Sequence, residues 1–291
     1  MLEVETPQLS AAAATDVHLQ SLTVTAPGDG LSGWLHTSPE FPMKRLLAAG
    51  AGDIWQLARV FRGDETGRRH NPEFTLLEWY RIGWGVDELI EEVDALLRTL
   101  AEGRLPLGAT ERMSYREAFL RHAGFDPFTT EPGEMFARLE SAIGDVSPGL
   151  RDDLPACLDL ALATLVEPRL DPGRPTFIFD FPASHAALAR IRPGSPPVAE
   201  RFELFLGGME LANGFHELSD ATEQRARFEA DLATRRSLGR VEPPLDHRLL
   251  AALEHGLPDC AGVALGFDRL LMQVAGAGHI GEVLAFPWGR C

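Results

Sequence analysis

Two alternating runs flank one charged loop, and this arrangement limits the chain more than any other feature. Residues 54–62 (IWQLARVFR) and 73–80 (EFTLLEWY) alternate with the period of two that belongs to strands. Between them the loop gathers Arg68, Arg69 and His70 beside Arg62, with Gly63 and Gly67 giving the backbone tight paths. Runs so close in sequence pair antiparallel. Phe74, Leu76, Glu78 and Tyr80 then share one face, and Glu73, Thr75, Leu77 and Trp79 the other. A carboxylate and a phenol beside an aromatic ring suit a ligand with a cationic group and a flat ring. Clustered guanidiniums suit phosphate, because they offer permanently charged, bidentate donors. A solvated hairpin tip laced with ion pairs is the competing account.

A second hairpin follows from RFELFLGGMELANGF, where Gly207-Gly208 separates two apolar runs. A two-residue turn sets Leu206 opposite Met209 and Phe205 opposite Glu210. Glu203, Phe205, Glu210 and Ala212 are then expected on one face, with Glu203 and Glu210 as diagonal neighbours. Two carboxylates so placed can hold Mg²⁺, a hard cation that takes oxygen ligands and bridges protein to phosphate. The plainer alternative is two solvent-facing glutamates. Asn213-Gly214 is expected to turn the chain and deliver Glu217. Near the end, GFDR (266–269) puts Arg269 just after an apolar strand, at the start of a helix, where anions are favoured. A structural Asp268–Arg269 pair is the alternative there.

The rest supplies a frame. TSPEFPMKRLLAAG reads as a helix from Ser38-Pro39 to Gly50, and Val86, Leu89, Ile90, Val93, Leu96, Leu97 and Leu100 mark one face of another. The strands are not separated by regular crossover helices. The expected fold is therefore α+β, a mainly antiparallel sheet flanked by helices, in a single domain over residues 1–291. A mostly helical insertion is expected at about 103–175. The net charge of −16 argues against wrapping nucleic acid, though not against a local anion site. Cys157, Cys260 and Cys291 share no metal-like spacing and suit a reducing compartment, so a cytoplasmic location is expected. No apolar run approaches the ~20 residues of a membrane span.

Taken in order, these pieces resemble the catalytic core of the class II aminoacyl-tRNA synthetases. FRGDETGRRHNPEFTLLEWY is similar to their motif 2, and GVALGFDRLLM to motif 3. LEVETP, TSPEFPMKRLL, MELANGFHELSDATEQRARF, PDCAGVALGFDRLLM and EVLAFPWGR narrow the resemblance to lysyl-tRNA synthetase paralogues that modify elongation factor P. The resemblance spans nearly the whole chain.

It implies an ATP-dependent ligase acting through an aminoacyl-adenylate. Arg62 would grip the α-phosphate and Arg269 the far side of the phosphates. His70 and Asn71 would assist with ATP, Phe74 would stack on adenine, and Leu211 and Gly266 would lie against the nucleotide. Glu203 and Glu210 would hold Mg²⁺, and Glu210 would also touch ATP. Ser38, Pro39, Glu40, Glu78, Tyr80, Asn213 and Glu217 would line the amino-acid pocket, whose several acids suit lysine or β-lysine. The acyl acceptor would be the ε-amino group of a lysine on elongation factor P, without stable tRNA binding.

The chain departs from the family pattern at three places. Motif 2 runs Arg-x-Glu in the family but Arg62-Gly63-Asp64-Glu65 here, and spacing favours Asp64 for the acidic role. Ala264 stands where lysyl-tRNA synthetases have glycine, and its methyl group would crowd the amino-acid pocket. Met1 falls midway through what resembles motif 1, so the interface helix is expected to be missing, and a homodimer belongs to the full-length family form. Charging of a lysine tRNA, a silent regulatory module, and an asparagine-synthetase-like amide ligase are the rival readings.

Overall fold

The computed structural model describes residues 1–26, 28, 30 and 32–291. The chain separates into two compact units, Met1–Leu89 with His216–Cys291, and Ile90–Phe215. In chain order the strands and helices begin with β1 (Leu2–Glu3), β2 (Leu9–Ser10), β3 (Thr23–Thr25), β4 (Ser32–Leu35) and α1 (Glu40–Ala48). Then come β5 (Ile54–Phe61), β6 (Glu73–Ile82), α2 (Val86–Ala101), β7 (Glu111–Ser114), α3 (Tyr115–His122) and α4 (Pro132–Ile143). Next are α5 (Leu154–Ala161), β8 (Thr176–Pro182), β9 (Ile191–Arg192), β10 (Val198–Phe205) and β11 (Glu210–His216). The chain closes with α6 (Ala221–Ser237), α7 (His247–Gly256), β12 (Cys260–Gly266) and α8 (Phe267–Ala275). The division between the units falls inside α2.

In the first unit the strands run β1-β5-β6-β12. β5 and β6 pair antiparallel with Gln56 opposite Glu78, and β6 pairs antiparallel with β12, setting Tyr80 opposite Gly262 and Glu78 opposite Ala264. β1 joins β5 in parallel. Both alternating runs are therefore strands, as expected. Glu78, Trp79 and Tyr80 are all buried, so both faces of β6 are covered at that point. A small antiparallel sheet, β2-β4-β3, lies in the same unit. α1 is shorter than its sequence signals: it starts at Glu40, and Gly50 follows it with a φ of 85°.

In the second unit β11-β10-β8-β7 form the ladder, with β9 on β10. β10–β11 and β10–β8 are antiparallel, and β7–β8 is parallel. The helical stretch between β7 and β8 closes over an apolar core of Tyr115, Phe119, Phe136, Leu139, Leu158 and Phe181. α3 starts at a capping box in which Ser114 and Glu117 exchange side-chain and backbone bonds, satisfying donors at the helix start. In α2 the buried stripe is Leu89, Ile90, Val93, Leu97 and Ala101, whereas Leu100 is exposed. Of the expected face, Val86 and Leu96 are half-buried, and Leu100 falls at the angle of the stripe, between Leu89 and Val93, but stands in the last turn of the helix, where it is exposed. No helix among the described residues is long and apolar enough to cross a membrane.

The Gly207-Gly208 turn forms as expected. Both glycines have positive φ, 61° and 67°, the left-handed pair that a two-residue hairpin turn needs. Leu206 and Met209 exchange backbone hydrogen bonds, and Phe205 faces Glu210. Beyond that, two expectations fail. The register slips at Leu211, so Leu204 faces Ala212 and Glu203 faces Asn213. This bulge carries Asn213, not Ala212, onto the face of Glu203. Asn213-Gly214 is not a turn either: β11 runs through both to His216, with Phe202 paired to Gly214. Cross-strand pairing outweighs the local turn preference of the Asn-Gly pair.

Candidate active site

The first unit carries two adjoining clusters on β6, one basic and one acidic. Arg62 leaves the end of β5. Its guanidinium lies 5.1 Å from the centre of the Phe74 ring, and its Nε donates to the Thr37 carbonyl at 3.4 Å. Glu65 approaches Arg62 at 3.7 Å. Asp64 is an exposed turn residue with a φ of 62°, so Glu65 is the acid that faces the arginine. Arg269, from the first turn of α8, reaches back to the same loop and donates from Nη2 to His70 Nε2 at 2.7 Å. A guanidinium can only donate, so His70 Nε2 is the acceptor in this contact.

Asp268 Oδ2 accepts the Thr75 backbone N–H at 2.7 Å, which fixes the start of α8 against β6. Asn71 is buried and fastened at both ends: Nδ2 donates to the Glu73 carbonyl at 2.6 Å, and Oδ1 accepts from Trp288 N at 2.8 Å. Gly266 caps α8 without a side-chain bond, leaving backbone N–H groups at a helix start that favours anions.

The acidic cluster lies farther along β6. Glu78 is 2% exposed. Its two oxygens accept from Ser38 Oγ at 2.8 Å and Tyr80 Oη at 2.7 Å. Burial, with the charge of Glu40 and then Glu217 adding to it, pushes the Glu78 carboxyl up to about 8. Burial and the charge of Glu78 likewise raise the Tyr80 phenol. Ser38 Oγ also accepts from Glu40 N at 3.0 Å, and Pro39 at the head of α1 is buried.

Glu217 is buried and hangs from β12 by its backbone N–H, which donates to the Cys260 carbonyl at 3.0 Å. Its carboxyl is pushed up to about 7, chiefly by burial and against the pull of Lys44. Lys44 Nζ stands 2.6 Å from Glu40 Oε1 and 2.5 Å from Glu217 Oε2, and its side chain is 1% exposed. The two carboxylates raise its ammonium far above the ordinary lysine value, despite burial pulling the other way.

Two residues of this cluster escaped sequence reasoning. Lys44 reads as one more cation on a short helix, although its spacing of four from Glu40 was a usable signal. Gly262 reads as a glycine in an apolar strand. A Cβ on it would come within 2.3 Å of Tyr80 Cε1 and 2.6 Å of Glu217 Oε1, so only hydrogen fits there. Ala264 is partly buried and, like Phe74, packs against the cluster of Ala58, Val60 and Leu76.

The second unit holds Glu203, Glu210, Leu211 and Asn213 on its glycine hairpin. Glu203 is buried, and its Oε1 accepts from Arg201 Nη2 at 2.5 Å. Burial pushes its carboxyl up to about 7, with Arg201 opposing and the charge of Glu210 adding to the rise. The two glutamates therefore feel each other, as the hairpin parity implied. Asn213 Oδ1 is buried with no hydrogen-bond partner. A buried amide oxygen in that condition is costly unless a ligand donor completes it.

Residues 1–290 match the family model for class II tRNA synthetases (D, K and N). The chain belongs to this class II synthetase family. It is 50% identical over 296 residues to an elongation factor P–(R)-β-lysine ligase of Vibrio cholerae, covering all of this chain and 90% of the relative. A ligase of the same name from Klebsiella pneumoniae is also 50% identical over 298 residues, covering 89% of its length. One from Vibrio vulnificus is 48% identical over 295 residues, with 89% of it covered. The α+β fold and mainly antiparallel strand pairing expected from the sequence are those of the class II family.

Proposed function

We propose that this chain activates (R)-β-lysine, or lysine, with ATP and transfers the acyl group to the ε-amino group of a lysine on elongation factor P. One observation carries the choice of amino acid. Glu78 is a buried carboxylate held by two hydroxyls, and its charged form calls for a cation that the Ser38 and Tyr80 hydroxyls do not supply. Glu40 and Glu217 add further negative charge beside it. Aspartate would be repelled there, and a neutral side chain would leave the acid uncompensated.

The basic cluster supplies the rest. The substrate carboxylate oxygen attacks the α-phosphorus of ATP, the bond to the β-phosphate bridging oxygen breaks, and pyrophosphate leaves. Arg62 and Arg269 stabilise the charge that builds on the phosphate oxygens. Glu65 orients Arg62, His70 orients Arg269, Asn71 and Gly266 hold the loop and helix start, and the Phe74 ring faces the adenine. The lysine amine of the acceptor protein then attacks the acyl carbon, AMP leaves, and the amine loses a proton. Positioning accounts for most of the rate, since these steps need no covalent catalyst.

Glu203 and Glu210, two carboxylates of the glycine hairpin, would hold Mg²⁺, which would offset phosphate charge when bound. In the same reading Leu211 would lie against the nucleotide, and Pro39 would line the amino-acid pocket. A homodimer and a cytoplasmic location complete this account.

Amino-acid-dependent ATP–pyrophosphate exchange tests the proposal, with (R)-β-lysine, L-lysine and aspartate compared on the purified chain. Faster exchange with β-lysine, followed by AMP-forming transfer to elongation factor P, is the expected result. Preference for L-lysine without transfer would point to tRNA charging instead. Absence of exchange with all three in folded protein would remove the enzymatic reading.

A further inference from the structure

The acids of the first unit do not hold equal shares of positive charge. Lys44 Nζ is within ion-pair distance of Glu40 and of Glu217, whereas Glu78 has the Ser38 and Tyr80 hydroxyls. Lys44 itself is shut away from water, on the face of α1 that also buries Met43 and Leu47. Burying an ammonium with carboxylates gives little or no net stability compared with an apolar side chain of the same volume. Its position therefore asks for a reason beyond folding.

We infer that Lys44 is a positioning residue for the amino-acid substrate, because its ammonium bundles Glu40 with Glu217, cancels one of the three carboxylate charges, and leaves Glu78 to the incoming amine. When all three carboxyls are ionised, as beside a bound cation, three carboxylates less one ammonium leave two negative charges, the number that a diamino acid's two ammonium groups neutralise. Without Lys44, Glu40 and Glu217 repel each other across a dry space, and one of them must move or take a proton. Glu217 is the more consequential of the two, since it lies against the position where a Gly262 Cβ would stand, beside Tyr80. A displaced Glu217 would thus disturb Tyr80 and, through its hydroxyl, Glu78.

This inference rests on the amino-acid-activating reading, and its test is built to separate the two. Lys44→Ala leaves a short cavity flanked by two carboxylates, which methylammonium fits. In ATP–pyrophosphate exchange with (R)-β-lysine, Lys44→Ala should lose on the order of 10- to 100-fold in kcat/KM, mostly through KM. Methylammonium should restore a large part of that loss, saturably, whereas tetramethylammonium should not. A purely structural lysine would give a lower melting temperature and no such rescue.

Calorimetry reads the same site without any turnover. Lys44→Ala should bind one methylammonium per chain and the wild-type chain none. If the wild type exchanges with no amino acid, the proposed function falls, and the calorimetric result still decides the role of Lys44. Should Lys44→Ala fail to fold, Lys44→Met keeps the stem volume and removes only the charge, and must show the same loss without rescue. Exchange within about threefold of wild type in either variant, or a folded Lys44→Ala that methylammonium neither binds nor rescues, overturns the inference.

Discussion

Gly262 lies directly across from Tyr80, and a methyl group in place of its hydrogen would stand 2.3 Å from the ring. Neither partner has room to yield: Tyr80 is buried with its hydroxyl on Glu78, and Glu217 is held by Lys44 on the other side. Gly262→Ala should therefore cost about 1–3 kcal/mol of stability, the usual result of overpacking a closed site. Exchange should fall more than the stability loss explains. Urea unfolding and exchange kinetics on one preparation measure both, and an unchanged exchange rate would show that Tyr80 is not needed where it stands.

Glu78 makes stability depend on pH in a definite direction. Its carboxyl is raised from 4.5 to about 8, so the folded chain binds the proton more tightly than the unfolded chain does. The stabilisation is fully present below pH 4.5, declines as the pH rises, and is gone above about 8. Glu78→Gln has no proton to lose and should flatten this slope. Denaturant unfolding at pH 5 and pH 8.5 compares the two chains, and equal slopes would count against a buried, proton-bearing Glu78.

The same shift predicts proton release on ligand binding. Near pH 7 the free carboxyl holds its proton, and a substrate ammonium placed beside it favours the carboxylate. Titration of (R)-β-lysine in two buffers of different ionisation enthalpy should give heats that differ by the proton released. Identical heats in both buffers would mean that the amine is read elsewhere.

Arg62 and its acidic neighbour offer a comparison between adjacent residues. Glu65→Gln should raise the KM for ATP several-fold, because Glu65 is the carboxylate near the guanidinium. Asp64→Gly should leave exchange nearly unchanged and gain about 1 kcal/mol, since it removes a left-handed conformation from a residue with a Cβ. The reverse ranking in a steady-state ATP titration would restore Asp64 to the role that spacing alone gave it.

The strands and their faces were legible because period-two alternation and a Gly-Gly turn are strong local signals. β5, β6, the turn at 207–208 and the Phe205–Glu210 pairing all follow from them. The bulge at Leu211 left no such mark, since it depends on how β10 and β11 settle beyond the turn. Asn213-Gly214 misled for the opposite reason, being a turn dipeptide held straight by strand pairing. Lys44 left only its spacing from Glu40 as a clue, because a buried lysine and a solvated one look alike in sequence, and Gly262 left none, because a glycine's close neighbours come from elsewhere in the chain. Arg62, His70, Glu78 and Arg269 stood out as candidates because phosphate and cation chemistry restricts which side chains could serve.

Asn71 ties the nucleotide loop to the last residues of the chain, through its bond from Trp288 N, and Arg68 strengthens the tie by donating to the Gly278 carbonyl and accepting from Ile280 N. The loop's shape is thus held partly by a segment that ends at Cys291. A purification tag fused after Cys291 would begin four residues beyond the amide on which Asn71 rests. An affinity handle placed at the other terminus would spare that hold, and a preparation clipped by a carboxypeptidase would lose grip on ATP while its fold stayed intact.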